Sequence, residues 1–119
     1  MTKQRSKASL LGIVLFLWGA TLFAAQPPDT LWTRTYGGTG EDVGHFVQET
    51  SDGGYIIAGY TTSFGAGSYD VYLVKTNEDG DTLWTKTYGG TGSDVGYSVQ
   101  ETPDEGYIIA GRTTSFGQG

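Results

Sequence analysis

The sequence predicts an all-β protein built from two similar units. The segment Asp29–Gly67 recurs as Asp81–Gly119 after 52 residues, and the copies differ at only eight of 39 positions. A period of this length is typical of repeat architectures, in which one unit buries its apolar surface against its neighbours. Between glycine-rich turns, each copy holds short runs of Thr, Tyr, Val, Ile and Trp, which favour strands. No window after Gln26 keeps the 3.6-residue spacing of an amphipathic helix.

The eight pairs that differ between the copies are Arg34/Lys86, Glu41/Ser93, His45/Tyr97, Phe46/Ser98, Ser51/Pro103, Gly53/Glu105, Tyr60/Arg112 and Ala66/Gln118. The 31 identical positions include every Trp and Ile of the repeated segment. A residue that the repeat dictates is more often structural than catalytic. The pattern therefore favours a structural role for most of the motifs that occur in both copies.

The first copy and the linker after it divide into strands at their turn signals. The predicted strands are Thr30–Tyr36, Asp42–Thr50, Tyr55–Thr62 and Tyr69–Thr76, followed by a strand around Trp84 that opens the second copy. The turns are Gly37-Gly38, the hairpin signal Ser51-Asp52-Gly53-Gly54, the loop Ser63–Ser68 and Asn77-Glu78-Asp79-Gly80. Within Asp42–Thr50, strict alternation would place Val43 and Val47 on one face and Phe46 on the other.

Four antiparallel strands in about 40–50 residues are typical of a β-propeller blade. We therefore expect antiparallel four-stranded repeat units of 52 residues that form a partial β-propeller of about two blades. Residues 26–80 would form the first repeat and residues 81–119 the second. Because Gly119 matches Gly67, the second repeat would stop before its last strand, which leaves seven strands. The alternative is a β-solenoid or an open meander, although solenoid coils are usually shorter.

Two motifs in the repeat resemble a known family. They are Trp32–Asp42 (WTRTYGGTGED) and Ser51–Phe64 (SDGGYIIAGYTTSF), followed by Asp70–Lys75 (DVYLVK). Together they resemble the bacterial SBBP-type β-propeller repeat, over essentially all of residues 29–119. The resemblance implies an exported bacterial surface protein.

The N-terminus has the layout of a secretory signal peptide over residues 1–25. Lys3, Arg5 and Lys7 precede the uncharged run Leu10–Ala25, which we expect to form a helix. Cleavage would fall between Ala24 and Gln26, so mass spectrometry of the exported product should find an N-terminus near Ala25 or Gln26. The alternative is an uncleaved membrane anchor, but the run has 16 residues and a spanning helix needs about 20. The expected location is secreted or cell surface, through the general secretory route.

Charge and cysteine content narrow the candidate partners. There is no Cys, so no disulfide stabilises the product. Without residues 1–25 the chain carries 4 cations and 13 acids, a net charge of −9. Nucleic acids are poor partners for such a chain, because their binding depends on Lys and Arg neutralising phosphates. Anionic membrane surfaces are disfavoured for the same reason.

Several segments resemble binding or catalytic motifs and fail on spacing. Gly37–Asp42 and Gly89–Asp94 match the opening of calcium-binding β-roll nonapeptides, but the apolar anchor is replaced by Gly44 or Gly96 and the period is 52 instead of nine. We expect turns in which the Asp accepts from backbone amides. Asn77–Asp81 is out of register for an EF-hand, since the Gly is fourth and not sixth. The glycine-rich segments precede strands, whereas a phosphate cradle requires a helix.

No catalytic constellation is predicted. His45 is the single histidine, and its counterpart is Tyr97. A lone His on a strand is more often a surface or packing residue than a site. Trp32, Trp84 and the tyrosines could form a sugar-binding platform, but their repeated positions favour packing between blades.

The sequence thus predicts no catalytic, cofactor-binding or metal-binding residues. We expect a non-catalytic scaffold or protein-interaction surface whose partners include other repeats of the same or neighbouring chains. The alternative functions are a carbohydrate- or ligand-binding module that uses loop aromatics, and an enzyme built on a propeller.

Overall fold

A computed structural model describes residues 31–117. The chain divides into two units, Met1–Arg34 and Thr35–Gly119. The predicted signal peptide over residues 1–25 lies outside the described residues, and the described part of the first unit, residues 31–34, contains no helix or strand. Within residues 31–117 there is no helix that is long and apolar enough to cross a membrane.

The second unit is all-β, as the residue composition predicts. Its six strands are β1 (Asp42–Glu49), β2 (Tyr55–Thr61), β3 (Asp70–Thr76), β4 (Thr82–Tyr88), β5 (Asp94–Glu101) and β6 (Tyr107–Thr113). Strands β1 to β4 form an antiparallel sheet in the order β1-β2-β3-β4, here called sheet 1. Strands β5 and β6 form a second antiparallel sheet, here called sheet 2. The predicted bounds of β1, β2 and β3 are confirmed to within one residue.

The strand predicted at the start of the first copy was wrong, whereas the strand predicted around Trp84 is confirmed as β4. Residues 31–36 carry no strand, although Thr30–Tyr36 was predicted to form one. The corresponding segment of the second copy, which differs only by Lys86 in place of Arg34, does form a strand, β4, because β3 offers an edge with which it pairs, Lys75 opposite Trp84. Sheet 1 therefore ends with a strand from the second copy of the sequence. The described residues hold six strands where seven were predicted.

The prediction for the two faces of β1 was also wrong, because the strand contains a β-bulge. Gly44 pairs with Gly59 and Phe46 pairs with Ala58, so His45 is an extra residue in the ladder. A bulge reverses the alternation beyond it. Val43 and Phe46 therefore share a face, and Val47 lies on the other. Sheet 2 has the same bulge at Tyr97, between Gly96 and Ser98.

The core lies between the two sheets. Ile56, Ala58 and Leu73 of sheet 1 form a buried cluster with Val99 of sheet 2. Trp84, Tyr107 and Ile109 are partly buried against this cluster. We call the faces that meet there the inner faces. The register places Ile57 and Val74 on the outer face of sheet 1, and Ser98, Ile108 and Ala110 on the outer face of sheet 2.

Polar contacts join the sheets at both ends of this core. At one end, Glu101 accepts hydrogen bonds from the Ser51 amide (2.7 Å) and the Ser51 hydroxyl (3.1 Å), and its own amide donates to Gln48 Oε1 (3.1 Å). At the other end, the Asp94 amide donates to the Tyr69 carbonyl oxygen (2.8 Å). These bonds fix the position of sheet 2 against sheet 1 within the second unit.

The two copies fold their central hairpin alike. In the first, the amides of Thr50 and Gly53 bond within the turn Thr50–Gly54, and the second forms the same pattern over Thr102–Gly106. Gly53 has φ of 82°, and Glu105, which replaces it, has φ of 62°. Glu105 is the non-glycine residue in the described part of the chain that adopts a left-handed conformation. The hairpin therefore keeps its geometry even where the residue type is unfavourable.

Candidate functional site

Asp42 joins the glycine-rich turn to the end of β2. Its Oδ2 accepts hydrogen bonds from the Gly38 amide (2.9 Å) and the Ser63 hydroxyl (2.7 Å), and its Oδ1 accepts from the Thr61 hydroxyl. Ser63 Oγ in turn accepts from the Gly40 amide (2.8 Å). The prediction that this Asp accepts from a turn amide is confirmed. The hydroxyl partners were missed, because they lie about 20 residues away in the sequence.

Asp94 makes the same contacts in the second copy. It accepts from the Gly90 amide (3.0 Å) and from the hydroxyls of Ser115 and Thr113. These hydrogen bonds, the Ser115 bond foremost, hold the pKa of Asp94 below its ordinary value. Burial raises the pKa of Asp42, but its hydrogen bonds outweigh that effect and leave it lowered as well. Both carboxylates are therefore ionised acceptors that tie loops together.

Gly89 separates two carboxylates. A Cβ built on Gly89 would lie in hard contact with Asp70 and Asp94, both of which are almost fully buried. Asp70 Oδ2 accepts from the Gly67 amide (2.9 Å). The repeated Gly-Gly pair is thus explained by close packing of the turn against aspartates, because any side chain at position 89 would displace them.

The hydrogen-bond donors around Asp42 and Asp94 bear on whether the glycine-rich segments could bind calcium. The oxygens of Asp42 and Asp94 already accept from N–H and O–H groups, which a bound cation would have to displace. Within residues 31–117, no group of three or more His, Asp or Glu side chains is arranged to hold a metal ion. The contacts of Asp42 and Asp94 fit structural hydrogen bonding.

The segment Asn77–Asp81 is a hairpin turn, as predicted. Asn77 Oδ1 accepts from the amides of Asp79 (3.0 Å) and Asp81 (2.8 Å), and the Gly80 amide donates to the Asn77 carbonyl oxygen (3.1 Å). Gly80 has φ of 77°. These bonds direct the side-chain oxygen of Asn77 into the turn itself.

His45 is exposed and links the two sheets at the surface. Its ring stacks on Tyr97 with a centroid separation of 5.2 Å and meets the edge of Tyr60 at 5.6 Å. Nδ1 lies 2.9 Å from the Gly96 carbonyl oxygen. The two stacked residues are the bulged residues of β1 and β5. These contacts give His45 a packing role, as the sequence favoured.

The aromatic residues predicted as a possible sugar platform divide between two places. Trp32 belongs to the first unit. Trp84 lies on the inner face of sheet 1, where it packs against the core cluster and meets Tyr107 edge-on at 5.8 Å. Lys86 Nζ lies 5.6 Å from the Trp84 ring centroid. These residues line a cleft whose other lining residues include Leu73 and Ile109.

Lys75 forms an ion pair that the sequence analysis missed. Its Nζ donates to both carboxylate oxygens of Asp52 (3.0 and 2.9 Å) and to the Thr76 carbonyl oxygen (2.9 Å). Lys75 is 3% exposed, whereas the Asp52 side chain is 57% exposed. The Thr50 hydroxyl, followed by Lys75, holds the pKa of Asp52 well below its usual range. A Lys that alternates with Val and Leu in β3 was the available signal.

Three comparisons with known proteins returned nothing: no family model, curated protein or solved structure matches this chain. Its class is therefore defined by the fold alone. Its described part is all-β, with two antiparallel sheets packed on a shared apolar core, and several of its carboxylates accept hydrogen bonds that hold turns and strands.

Proposed function

We propose that this chain is a non-catalytic repeat protein whose sheets stack face to face on further repeat units. In this proposal each sheet is a blade of a β-propeller of the SBBP type, and the protein is exported to the bacterial cell envelope or beyond, where it serves as a scaffold or interaction surface. No catalytic, cofactor-binding or metal-binding residue is assigned.

The observation that carries the proposal is the pairing of unlike faces. Ile56 of sheet 1 is completely buried where the two sheets pack together. Ile108, the counterpart of Ile56 in sheet 2, is 62% exposed. On the outer face of sheet 1, Val47 of the edge strand β1 is 59% exposed, whereas Val74 and Tyr72 of the central strand β3 are buried. The outer face of sheet 2 thus presents the same residue types that sheet 1 buries.

Stacking of this kind is heterologous, because two different faces meet. A heterologous contact repeats until a ring closes or a filament grows. Successive contacts in such a stack of sheets would differ from one another. Ser51 donates two hydrogen bonds to Glu101, whereas its counterpart Pro103 has no amide hydrogen and no hydroxyl. The second stacking contact would therefore be weaker than the first, for lack of these bonds.

Sedimentation velocity of a 26–119 variant tests the proposal. We expect concentration-dependent association, because exposed apolar faces of this kind attract partners. Ile108→Lys should weaken association about tenfold, since it places a charge where about 1.5–3 kcal/mol of burial is expected. Thr91→Lys makes the same charge change in an exposed loop and should leave association unchanged. A strictly monomeric chain, or equal effects of both substitutions, would contradict face-to-face stacking.

Carbohydrate binding is the second candidate, on the strength of the cleft beside Trp84 and Tyr107. Two aromatic rings in a cleft are common in ligand sites. Trp84, however, is partly buried against the core cluster and has Lys86 Nζ 5.6 Å from its ring centroid, so part of its surface is engaged within the protein. A glycan array distinguishes the two candidates, because stacking requires no glycan.

A further inference from the structure

The outer edge of β6 matches an edge that is filled elsewhere in the same molecule. Strand β2 reads YIIAGYT and β6 reads YIIAGRT, so they differ only at Tyr60 and Arg112. Strand β2 lies between β1 and β3, whereas β6 pairs with β5 alone among the described residues. The hairpins β1–β2 and β5–β6 also share one register, with Asp42 opposite Thr61 and Asp94 opposite Thr113.

We infer that the outer edge of β6 binds an extended strand of the β3 type, with the sequence pattern Asp-Val-Tyr-Leu-Val-Lys-Thr. The inference deepens the proposed function and rests on it, because the ligand is itself part of a repeat unit. It concerns the edge of a sheet, whereas the proposed stacking concerns the faces. Main-chain pairing of this kind gives affinity, and alternate side chains give specificity.

The β2–β3 register shows how such a strand would lie. Val74 pairs with Ile57 and Tyr72 with Gly59, so the corresponding residues of a bound strand would lie opposite Ile109 and Gly111. Residues directly opposite in a ladder share a face. The bound Val and Tyr would therefore point toward sheet 1, on the same side as Ile109.

A cleft is already present on that side. The inner face of sheet 1 contributes Leu73 and Trp84 to it, and sheet 2 contributes Tyr107 and Ile109. In sheet 1 itself, Val74 and Tyr72 are buried. The cleft thus offers apolar cover to the two side chains of the pattern that require it.

Asp104 supplies an acceptor for the lysine of the pattern. In the first copy, Asp52 accepts from the Thr50 hydroxyl and the Gly54 amide (3.0 Å) and binds Lys75 with both oxygens. Asp104 accepts from the Thr102 hydroxyl and the Gly106 amide (3.3 Å) in the same turn. No described cation is bonded to Asp104, so the carboxylate is held in the orientation that binds lysine in the first copy.

The test uses a fluorescent peptide with the sequence of residues 68–77 and the full-length chain. Anisotropy should show saturable binding of this peptide and none of a scrambled peptide. A peptide that carries Lys75→Gln should bind about tenfold more weakly, the effect of about one charged hydrogen bond. On an Asp104→Asn chain, the same peptide change should alter affinity less than about twofold, because the two substitutions remove one interaction.

The site of binding is located by hydrogen exchange. Bound peptide should slow exchange of the β6 amides and leave the edge strands β1 and β4 unchanged. A peptide with Leu73→Pro should not bind, since proline removes a ladder hydrogen bond. Equal binding of the scrambled peptide, protection at β1 or β4 instead of β6, or an equal effect of Lys75→Gln on both chains would overturn the inference.

The result is separable from the test of stacking. If the peptide fails to bind while Ile108→Lys still weakens association, the edge site is refuted and face-to-face stacking stands. If the peptide binds in the predicted way to a chain that never associates, stacking is refuted and the edge site stands, with any extended strand of the pattern as its ligand.

Discussion

At the scale of single residues, the two copies can be compared directly, because they place the same or different residue types at equivalent positions of similar backbones. The Asp of the Gly-Gly-Thr-Gly-x-Asp segment makes equivalent bonds in both copies, to a glycine amide and to hydroxyls of Thr and Ser. Where the copies differ, the backbone adapts, as it does at Gly53 and Glu105. Where the copies differ, comparing them therefore shows at which positions the residue type strains the backbone and at which positions the residue type changes without strain.

Replacing Glu105 by Gly should stabilise the chain. Glu105 has φ of 62°, and a left-handed conformation costs a residue with a Cβ about 1–2 kcal/mol relative to glycine. We expect Glu105→Gly to raise the free energy of unfolding by about 1 kcal/mol, and Gly53→Glu to lower it by a similar amount. Urea unfolding followed by circular dichroism measures both. A loss of stability in Glu105→Gly would show that the Glu side chain makes a favourable contact.

The Lys75–Asp52 pair should respond unequally to the loss of either partner. Asp52→Asn leaves a buried ammonium without its carboxylate, and uncompensated buried charge is costly. Lys75→Met keeps the apolar stem and leaves an Asp52 that water already reaches. We expect Asp52→Asn to cost about 1–3 kcal/mol and Lys75→Met less than about 1 kcal/mol. Glu49→Gln, at an exposed strand end, is the control; equal losses would contradict the argument.

At the scale of elements, neighbours decide what a strand sequence does. The segment TLWTKTY forms β4 because β3 offers it an edge, while residues 31–36, nearly the same sequence, form no strand. The Lys75 contact and the β1 bulge likewise depend on the partner strand. Local residue propensity predicted the bounds of β1, β2 and β3. Whether a segment joins a sheet depends on the strand with which it pairs, and residue propensities carry no information about that partner.

Strands β2 and β6 should differ in hydrogen exchange despite their shared sequence. Strand β2 is paired on both sides and β6 on one, so β6 has fewer protected amides and a smaller local opening energy. We expect faster exchange across β6 than across β2 in the same sample, measured by nuclear magnetic resonance. The near-identical sequences control for intrinsic exchange rates. Equal protection would mean that the edge of β6 is covered in solution.

At the scale of the whole molecule, stability depends on few buried side chains and many loop-tying hydrogen bonds. The core cluster within the described residues contains Ile56, Ala58, Leu73 and Val99. Several carboxylates with lowered pKa values hold the turns around it, namely Asp42, Asp52, Asp94 and Asp104. Acid should therefore act on the fold chiefly through these turns.

The free energy of unfolding should fall at both extremes of pH. A carboxyl whose pKa is lowered by folding contributes stability above its unfolded pKa, about 3.9, and loses it as the pH falls further. Burial raises the pKa of Tyr72 and Tyr107, so their contribution is full below about pH 10 and is lost as the pH rises through their raised values.

The variant Asp42→Asn tests the predicted fall in the free energy of unfolding at low pH. It should lower stability at pH 7 by about 1–3 kcal/mol, because an amide cannot accept all the bonds that the carboxylate accepts. It should also flatten the decline below pH 4, since one titrating group has been removed. Urea unfolding between pH 2 and pH 7 measures both effects. An unchanged slope would show that Asp42 does not contribute to acid sensitivity.

The sequence by itself determined the strand-forming class, the hairpin turns and the Asp-to-amide bonds of the glycine-rich turns, because these depend on residues within a few positions of one another. Tertiary structure decided which faces are covered, which strands pair and where Lys75 finds its carboxylate. The bulge at His45 reversed the predicted faces of β1, and the hydroxyls of Thr61 and Ser63 reached Asp42 from the next strand. Such contacts join residues about 20 or more positions apart, and only the folded chain brings them within bonding distance.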